Sequence, residues 1–251
     1  MRVFVTRPEH EARRWVDELC QRGFDAQAFP LIAILPVADA APVQDAWRRL
    51  AACRAAMFVS GNAVRHFFGS RPAGMAWPPA ARAWATGAGT HAALIAAGVP
   101  GASIDAPPAS AVQFDSETLW SQVAPQVRTG DRVLIVRGGD AQGAAAGRDW
   151  LAERLGSVGA VVDTVVSYRR GAPQLTAAQL ALARAGGVWL FSSSEAIAHL
   201  TELLPQQDWR GSRAVATHPR IAHAARRAGF GVVCESRPAV DAVVAVLESF
   251  R

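Results

Sequence analysis

The hydrophobic positions of the chain follow two patterns, one typical of buried strands and one typical of helices. Continuous apolar runs such as "RVLIV" at 132–136 and "GVWLF" at 187–191 are typical of parallel strands that are covered on both faces. The segment 8–22 has apolar residues at helical spacing instead, and they form one face: Ala12, Trp15, Val16 and Leu19. Alternating strands and helices predict α/β sheets with right-handed crossovers.

One kind of corner occurs twice: an apolar run ends at serine, and an amphipathic segment follows it. It reads "AMFVSGNAVRHF" at 56–67 and "VWLFSSSEAIAHL" at 188–200. Two further pairs of segments match in the same way: "RAWATGAGTHAALIAAGV" (82–99) with "RAVATHPRIAHAARRAGF" (213–230), and "RVFVTRP" (2–8) with "RVLIVRG" (132–138). These matches predict an internal duplication, with one doubly wound parallel sheet for each copy.

The corner serines Ser60, Ser193 and Ser194 have two interpretations. Serine is a preferred N-cap, so these side chains could do no more than bind the unpaired amides at a helix start. The same corners also bring helix N-termini to the carboxyl ends of parallel strands, where open α/β sheets bind anions. A duplicated corner would then supply two such sites facing each other across a cleft.

All 26 basic residues are arginine, and the formal net charge is +5. Lysine Schiff-base chemistry is therefore excluded, while guanidinium groups suit carboxylates and phosphates. The arginines are spread along the chain without a basic run, so we expect no nucleic-acid partner. The three cysteines are widely spaced and suggest neither a disulfide framework nor a zinc site. No apolar run reaches the roughly 18 residues of a membrane span, and no signal peptide precedes the first strand, which predicts a cytoplasmic protein.

Two motifs leave alternatives open. "TGAGTHAA" at 86–93 fits G-x-G-x-x-A after a strand, with Asp105 further on, which resembles a dinucleotide fingerprint. Its matching copy has no glycine, so an NAD(P)-dependent enzyme is a weaker hypothesis. Tyr168, the only tyrosine, ends an apolar run beside Arg169 and Arg170. It is either an interface tyrosine or a phenol whose proton transfer the neighbouring cations assist.

Taken in order, the motifs resemble the uroporphyrinogen-III synthase family over almost the whole chain. The sharpest pieces are "TRP" at 6–8 and "THPRIA" at 217–222. The others are "AFPLIAI", "MFVSGNAV", "WATGAGTHAAL", "DSETLW", "VLIVRGG", "VVSYRR" and "WLFSSSEAI". The resemblance implies two flavodoxin-like lobes, joined by two crossing strands, with the active-site cleft between them. The first lobe would be residues 1–34 plus 172–251 and the second 38–168, with crossing linkers at 35–37 and 169–171.

The resemblance further implies the closure of hydroxymethylbilane to uroporphyrinogen III, with ring D inverted, water lost and no metal or organic cofactor. It implies a monomer, which could contact the upstream hydroxymethylbilane synthase transiently. Tyr168 would assist departure of the hydroxyl. The implied substrate-binding residues are Thr6, Arg7, Ser60, Gly61, Asn62, Thr86, Gly87, Ser192, Ser193, Ser194 and Thr217. The segment 138–148 is longer and richer in Gly and Ala than the family pattern, which predicts a mobile loop and leaves Arg148 a weaker match. A two-lobed sensor that binds an anion without chemistry is the alternative.

Overall fold

The computed structural model describes residues 1–107, 116–145 and 149–251. The described strands are β1 Arg2–Val5, β2 Asp25–Ala28, β3 Ala33–Pro36, β4 Ala55–Phe58, β5 Arg82–Ala85, β6 Ile104–Asp105, β7 Arg132–Gly139, β8 Val161–Gly171, β9 Val188–Phe191, β10 Arg213–Ala216 and β11 Val232–Glu235. The described α-helices are α1 Glu9–Gln21, α2 Ala41–Arg49, α3 Gly61–Gly69, α4 Ala88–Ala96, α5 Ser116–Val123, α6 Trp150–Ser157, α7 Ala177–Arg184, α8 Ser194–Leu203, α9 Pro219–Arg227 and α10 Val240–Glu248.

The chain forms two compact units, the first of residues 1–33 and 171–251 and the second of residues 34–170. The sheet of the first unit has the strand order β11-β10-β9-β1-β2, and its neighbouring strands are parallel. The second sheet has the order β3-β8-β7-β4-β5-β6, and β8 to β6 pair in parallel. The prediction of an α/β fold with parallel sheets is therefore confirmed.

The matching segments of the sequence occupy equivalent places in the two sheets. β4 and β9 are the strands that lead into the two serine corners. β5 and β10 lie on one side of them, and β7 and β1 lie on the other side. A duplication would produce such a shared strand order. The duplication itself stays a prediction.

Helix α1 illustrates how the sequence sets the bounds of an element. Pro8 precedes its first residue, where the fixed φ of proline suits a helix start, and Glu9 and Glu11 lie in its first turn. Gly23 follows the helix with a φ of +79°, a conformation that glycine adopts without strain. The buried residues of the helix are Ala12, Trp15 and Leu19. The helix predicted over 8–22 is thus present within one residue at each end.

The apolar runs of β4, β7 and β9 are continuous because these inner strands are buried on both faces of their sheets. In β4, the neighbouring residues Met57 and Phe58 belong to different hydrophobic clusters, since successive side chains of a strand point to opposite faces. Phe58 belongs to the cluster that includes Trp47 and Phe67, and Met57 belongs to the cluster that includes Trp84. Because neighbouring strands are parallel, their carboxyl ends lie at one edge of each sheet, which is where the predicted site residues lie.

Candidate active site

The predicted site residues fall into two groups, one in each compact unit. In the second unit they follow β4 or β5 or lie near the end of β8: Ser60, Gly61, Asn62, Thr86, Gly87 and Tyr168. In the first unit they follow β1, β9 or β10: Thr6, Arg7, Ser192, Ser193, Ser194 and Thr217. Because the strands are parallel, each group lies at the carboxyl edge of its own sheet. Their roles in substrate binding stay predictions.

In the second unit, hydrogen bonds fix the corner after β4. Ser60 is the N-cap of α3, and its Oγ accepts the amide N–H of Ala63 at 3.2 Å. Thr86 Oγ1 donates to the carbonyl oxygen of Val59 at 3.3 Å, which ties the corner after β5 to the corner after β4. Asn62 Oδ1 accepts from the guanidinium of Arg65 at 2.6 Å. The capping interpretation of Ser60 is thus confirmed. The Ser60 hydroxyl also contacts the phenol oxygen of Tyr168.

The corner after β5 carries the glycine motif of residues 86–93 that resembles a dinucleotide fingerprint. Gly87 is the N-cap of α4 and gives it no side-chain cap. However, both carboxylate oxygens of Asp105 accept from the guanidinium of Arg82, at 2.6 and 2.8 Å. The hydrogen bonds that Arg82 donates to Asp105 raise the pKa of Arg82, which favours the ion pair. The carboxylate that would bind a ribose hydroxyl is therefore already occupied, which weighs against the NAD(P) hypothesis.

In the first unit, the residues after β1 are largely buried. Thr6 is 1% exposed, and its Oγ1 donates to the carbonyl oxygen of Leu190 at 2.8 Å. The Arg7 guanidinium lies 4.5 Å from the ring centre of Trp15 and binds Glu11 at 3.2 Å. Burial lowers the pKa of Arg7, and Glu11 acts in the opposite direction. Arg7 Nε is buried without a hydrogen-bond partner in the described part of the chain. The bond to Glu11 therefore leaves part of the hydrogen-bonding capacity of the Arg7 guanidinium unused among the described residues.

The corners after β9 and β10 are capped by different residue types. Ser193 is the N-cap of α8, and its Oγ accepts the amide N–H of Glu195 at 3.2 Å. At the next corner the N-cap of α9 is His218, whose Nδ1 accepts the amide N–H of Arg220 at 3.1 Å. The amide of Thr217 donates to the carbonyl oxygen of Phe191. Thr217 is thus not the N-cap of α9.

Tyr168 is 5% exposed and lies against α3. Its phenol oxygen is 3.3 Å from Ser60 Oγ, and its ring centre is 5.6 Å from that of His66. Burial, and to a smaller extent the charge of Arg65, lowers the pKa of His66, which favours the neutral imidazole. The guanidinium of Arg169 donates to the carbonyl oxygens of Pro36 and Ala141. Among the described residues, the hydrogen-bonding neighbour of the phenol is therefore Ser60, whereas Arg169 binds backbone carbonyl oxygens.

The glycine-rich segment after β7 is described up to residue 145. Asp140 Oδ1 accepts the amides of Gln142 and Ala144, at 3.0 and 2.9 Å, and Gly143 adopts a φ of +89°. Arg169 binds the carbonyl oxygen of Ala141 in the same turn. Residues 140–144 thus form a compact turn. Arg148 lies outside the described residues, and the mobility of the segment stays a prediction.

Sequence reasoning missed the immediate surroundings of Tyr168. Gly138 lies opposite it on β7, and Ser167 precedes it with a buried hydroxyl. A signal was available for Gly138, because pairing "RVLIVRGG" with the following strand as parallel neighbours brings its two glycines level with the end of "VVSYRR". No comparable signal identified His66, which lies on α3.

Comparisons with known proteins agree with this architecture. The family model described as uroporphyrinogen-III synthase HemD matches residues 13–245. A mutant uroporphyrinogen III synthase from Thermus thermophilus is 18% identical, with 99% of this chain and 98% of that chain covered and a TM-score of 0.56. Uroporphyrinogen-III synthetase from Helicobacter pylori is 16% identical, with 100% of both chains covered and a TM-score of 0.58. At these identities the two structures show a shared fold.

Proposed function

Because the chain belongs to the uroporphyrinogen-III synthase family, we propose that it closes hydroxymethylbilane to uroporphyrinogen III, inverting ring D and releasing water. It would thus be a cyclising lyase of tetrapyrrole and haem biosynthesis. The observation that carries the proposal is the family match over residues 13–245, which includes parts of both compact units. The sensor hypothesis has no comparable support.

The reaction asks two things of the protein. The electrons of a pyrrole nitrogen expel the hydroxyl group, so the departing oxygen needs a proton, which Tyr168 would donate. The same bilane closes without enzyme to the isomer in which ring D is not inverted. The protein must therefore hold the chain in a conformation that favours attack through the other position of ring D, and this geometric control is its main contribution.

The substrate carries acetate and propionate groups, which suit the cationic and N–H donors at the two sheet edges. Arg7 has a buried Nε donor without a partner among the described residues, and a guanidinium pairs well with a carboxylate. The first turns of α3, α4 and α8 add backbone amides and the positive end of the helix dipole. We infer that backbone amides make most carboxylate contacts, because Thr6 and Thr86 already donate their hydroxyl protons to carbonyl oxygens of the protein.

A coupled assay tests the function. Fresh hydroxymethylbilane is supplied, the products are oxidised, and the uroporphyrin isomers are resolved, with a reaction lacking the protein as control. We expect isomer III above the control. Isomer I alone would overturn the proposal. Tight binding of the bilane without turnover would favour the sensor hypothesis. A fluorescence titration with NADH tests the hypothesis of an NAD(P)-dependent enzyme.

Alanine substitutions at the first-unit corners should separate capping from substrate binding. We expect Ser193→Ala to lower the free energy of unfolding by about 1 kcal/mol, since it removes a helix cap. Thr217→Ala should barely change the melting temperature, because His218 is the N-cap of α9. Both variants should change KM only mildly if backbone amides hold the carboxylates. A rise of KM of more than about tenfold, equal to about 1.4 kcal/mol, would assign the side chain to the substrate instead.

Among the described residues, no helix combines the length and apolar character that crossing a bilayer requires. The monomeric state, the cytoplasmic location and a transient contact with hydroxymethylbilane synthase stay predictions from the sequence. Size-exclusion chromatography with light scattering tests the first of them.

A further inference from the structure

A β-bulge aims Tyr168 at helix α3. β7 and β8 pair in register up to Arg137 and Val166, and the pairing resumes at Gly138 and Tyr168, so Ser167 is an extra residue. Consecutive side chains of a regular strand point to opposite faces, whereas a bulge can re-aim one of them. Here Ser167 Oγ donates to the carbonyl oxygen of Ala63 at 3.2 Å, while the phenol of Tyr168 reaches Ser60. Both neighbouring side chains therefore contact the first turn of α3.

The bond between Ala63 and Ser60 leaves the hydroxyl proton of Ser60 available. A serine hydroxyl has one proton and two lone pairs, and the amide N–H of Ala63 occupies one lone pair. Within the described residues, the remaining partner of this hydroxyl is the phenol oxygen of Tyr168, at 3.3 Å. The hydroxyl can thus donate to the phenol, which gives a chain of donors from amide to serine to phenol. Donors in such a chain strengthen one another.

Resting on the proposed function, we propose that Ser60 is a positioning residue, which donates to the phenol oxygen of Tyr168 and so directs the phenol proton toward the leaving hydroxyl. In this step the phenol O–H bond breaks and its proton joins the departing oxygen. The carbon–oxygen bond of the bilane breaks with both electrons on oxygen, and water leaves. The phenolate accepts the hydrogen bond from Ser60 and lies near the positive end of α3. The pyrrole ring that forms the new bond then loses a proton and becomes aromatic again. The phenolate accepts this proton, which restores the phenol.

Three substitutions separate this role from capping. Glycine is nearly as good an N-cap as serine but has no hydroxyl group. Alanine neither caps well nor has a hydroxyl group, and threonine both caps the helix and has a hydroxyl group. We expect Ser60→Gly and Ser60→Ala to lower kcat by a similar factor, about three- to tenfold, with KM little changed, and Ser60→Thr to keep most of the activity. If Ser60 only caps α3, Ser60→Gly keeps the wild-type kcat and Ser60→Ala alone is impaired, which would overturn the proposal.

A double variant shows whether Ser60 acts through Tyr168. In the Tyr168→Phe background, Ser60→Gly should have no further effect on kcat, because the phenol oxygen is already gone. A full additional loss would mean that Ser60 contacts the substrate itself and would overturn the proposal. Thr176→Ala is the matched control, since Thr176 caps α7 in the other unit and lies outside the predicted site. It should lower stability and leave kcat unchanged.

A spectroscopic measurement tests the contact independently of turnover. Tyr168 is the only tyrosine, so isotope-labelled tyrosine gives a single phenol-carbon resonance in the full-length protein. We expect Ser60→Gly to shift this resonance, and Ser60→Thr and Thr176→Ala to leave it in place. If the resonance does not move in Ser60→Gly, Ser60 does not bond to the phenol, and the proposal is overturned. If wild-type protein makes no isomer III while the resonance shifts, the proposed function fails and the contact stands.

Discussion

Replacing Tyr168 by phenylalanine is expected to lower kcat about 10- to 100-fold, while isomer III remains the enzymatic product. A positioned general acid contributes about 10²–10⁴-fold, and we expect the low end because the bilane loses its hydroxyl partly unaided. Ring inversion depends on how the chain is held, so the isomer ratio should not follow the rate. Steady-state kinetics with isomer analysis measures both quantities.

Tyr168→Phe should fold normally, with a small loss of stability. The substitution keeps the ring against His66 and removes one hydrogen bond, of about 0.5–1.5 kcal/mol, from a nearly buried phenol. Ser60 keeps its bond to Ala63 and still caps α3. Ser121→Ala is a suitable control, since it removes an exposed hydroxyl of α5 in the same unit. Wild-type turnover by Tyr168→Phe would make Tyr168 a packing residue and leave the family assignment unchanged.

The fold was predictable because its signals are local. A strand that is covered on both faces is a continuous apolar run, so β7 and β9 can be recognised without knowledge of their neighbours. The turn at the end of a parallel strand calls for an N-cap, and serine at positions 60 and 193 predicts the start of α3 and α8. The repetition of these local signals also predicted two doubly wound parallel sheets.

The surroundings of the phenol were not predictable because they depend on distant pairs. Ser60 and Tyr168 are 108 positions apart, and their contact follows from the placement of α3 over β8. The bulge at Ser167 reverses the face that simple alternation assigns to the next side chain. In both cases the outcome depends on how segments that are distant in the sequence pack together, which local sequence patterns do not determine.

Gly138 is the residue on β7 that lets the phenol lie across the strand. A Cβ atom built at Gly138 would be 2.5 Å from Cζ of Tyr168 and 2.8 Å from its hydroxyl oxygen, well inside van der Waals contact. Gly138→Ala must therefore move the ring, and the ring is enclosed because only 5% of Tyr168 is exposed. Overpacking a buried site costs about 1–3 kcal/mol, so the melting temperature should fall measurably.

Gly138→Ala is also expected to lower kcat about 100-fold, at least as much as Tyr168→Phe, because it displaces the whole ring and separates the phenol from Ser60. A positioned acid loses its advantage once its geometry is lost. Gly156→Ala is the matched control, since a Cβ at Gly156 in α6 meets no atom within 4 Å, and its activity should be that of wild type. In the Tyr168→Phe background, Gly138→Ala should reduce kcat little further, because the acid is already absent. Wild-type kcat in Gly138→Ala, with the phenol-carbon resonance moved, would show that turnover does not depend on where the phenol lies and would remove Tyr168 from the proposed mechanism.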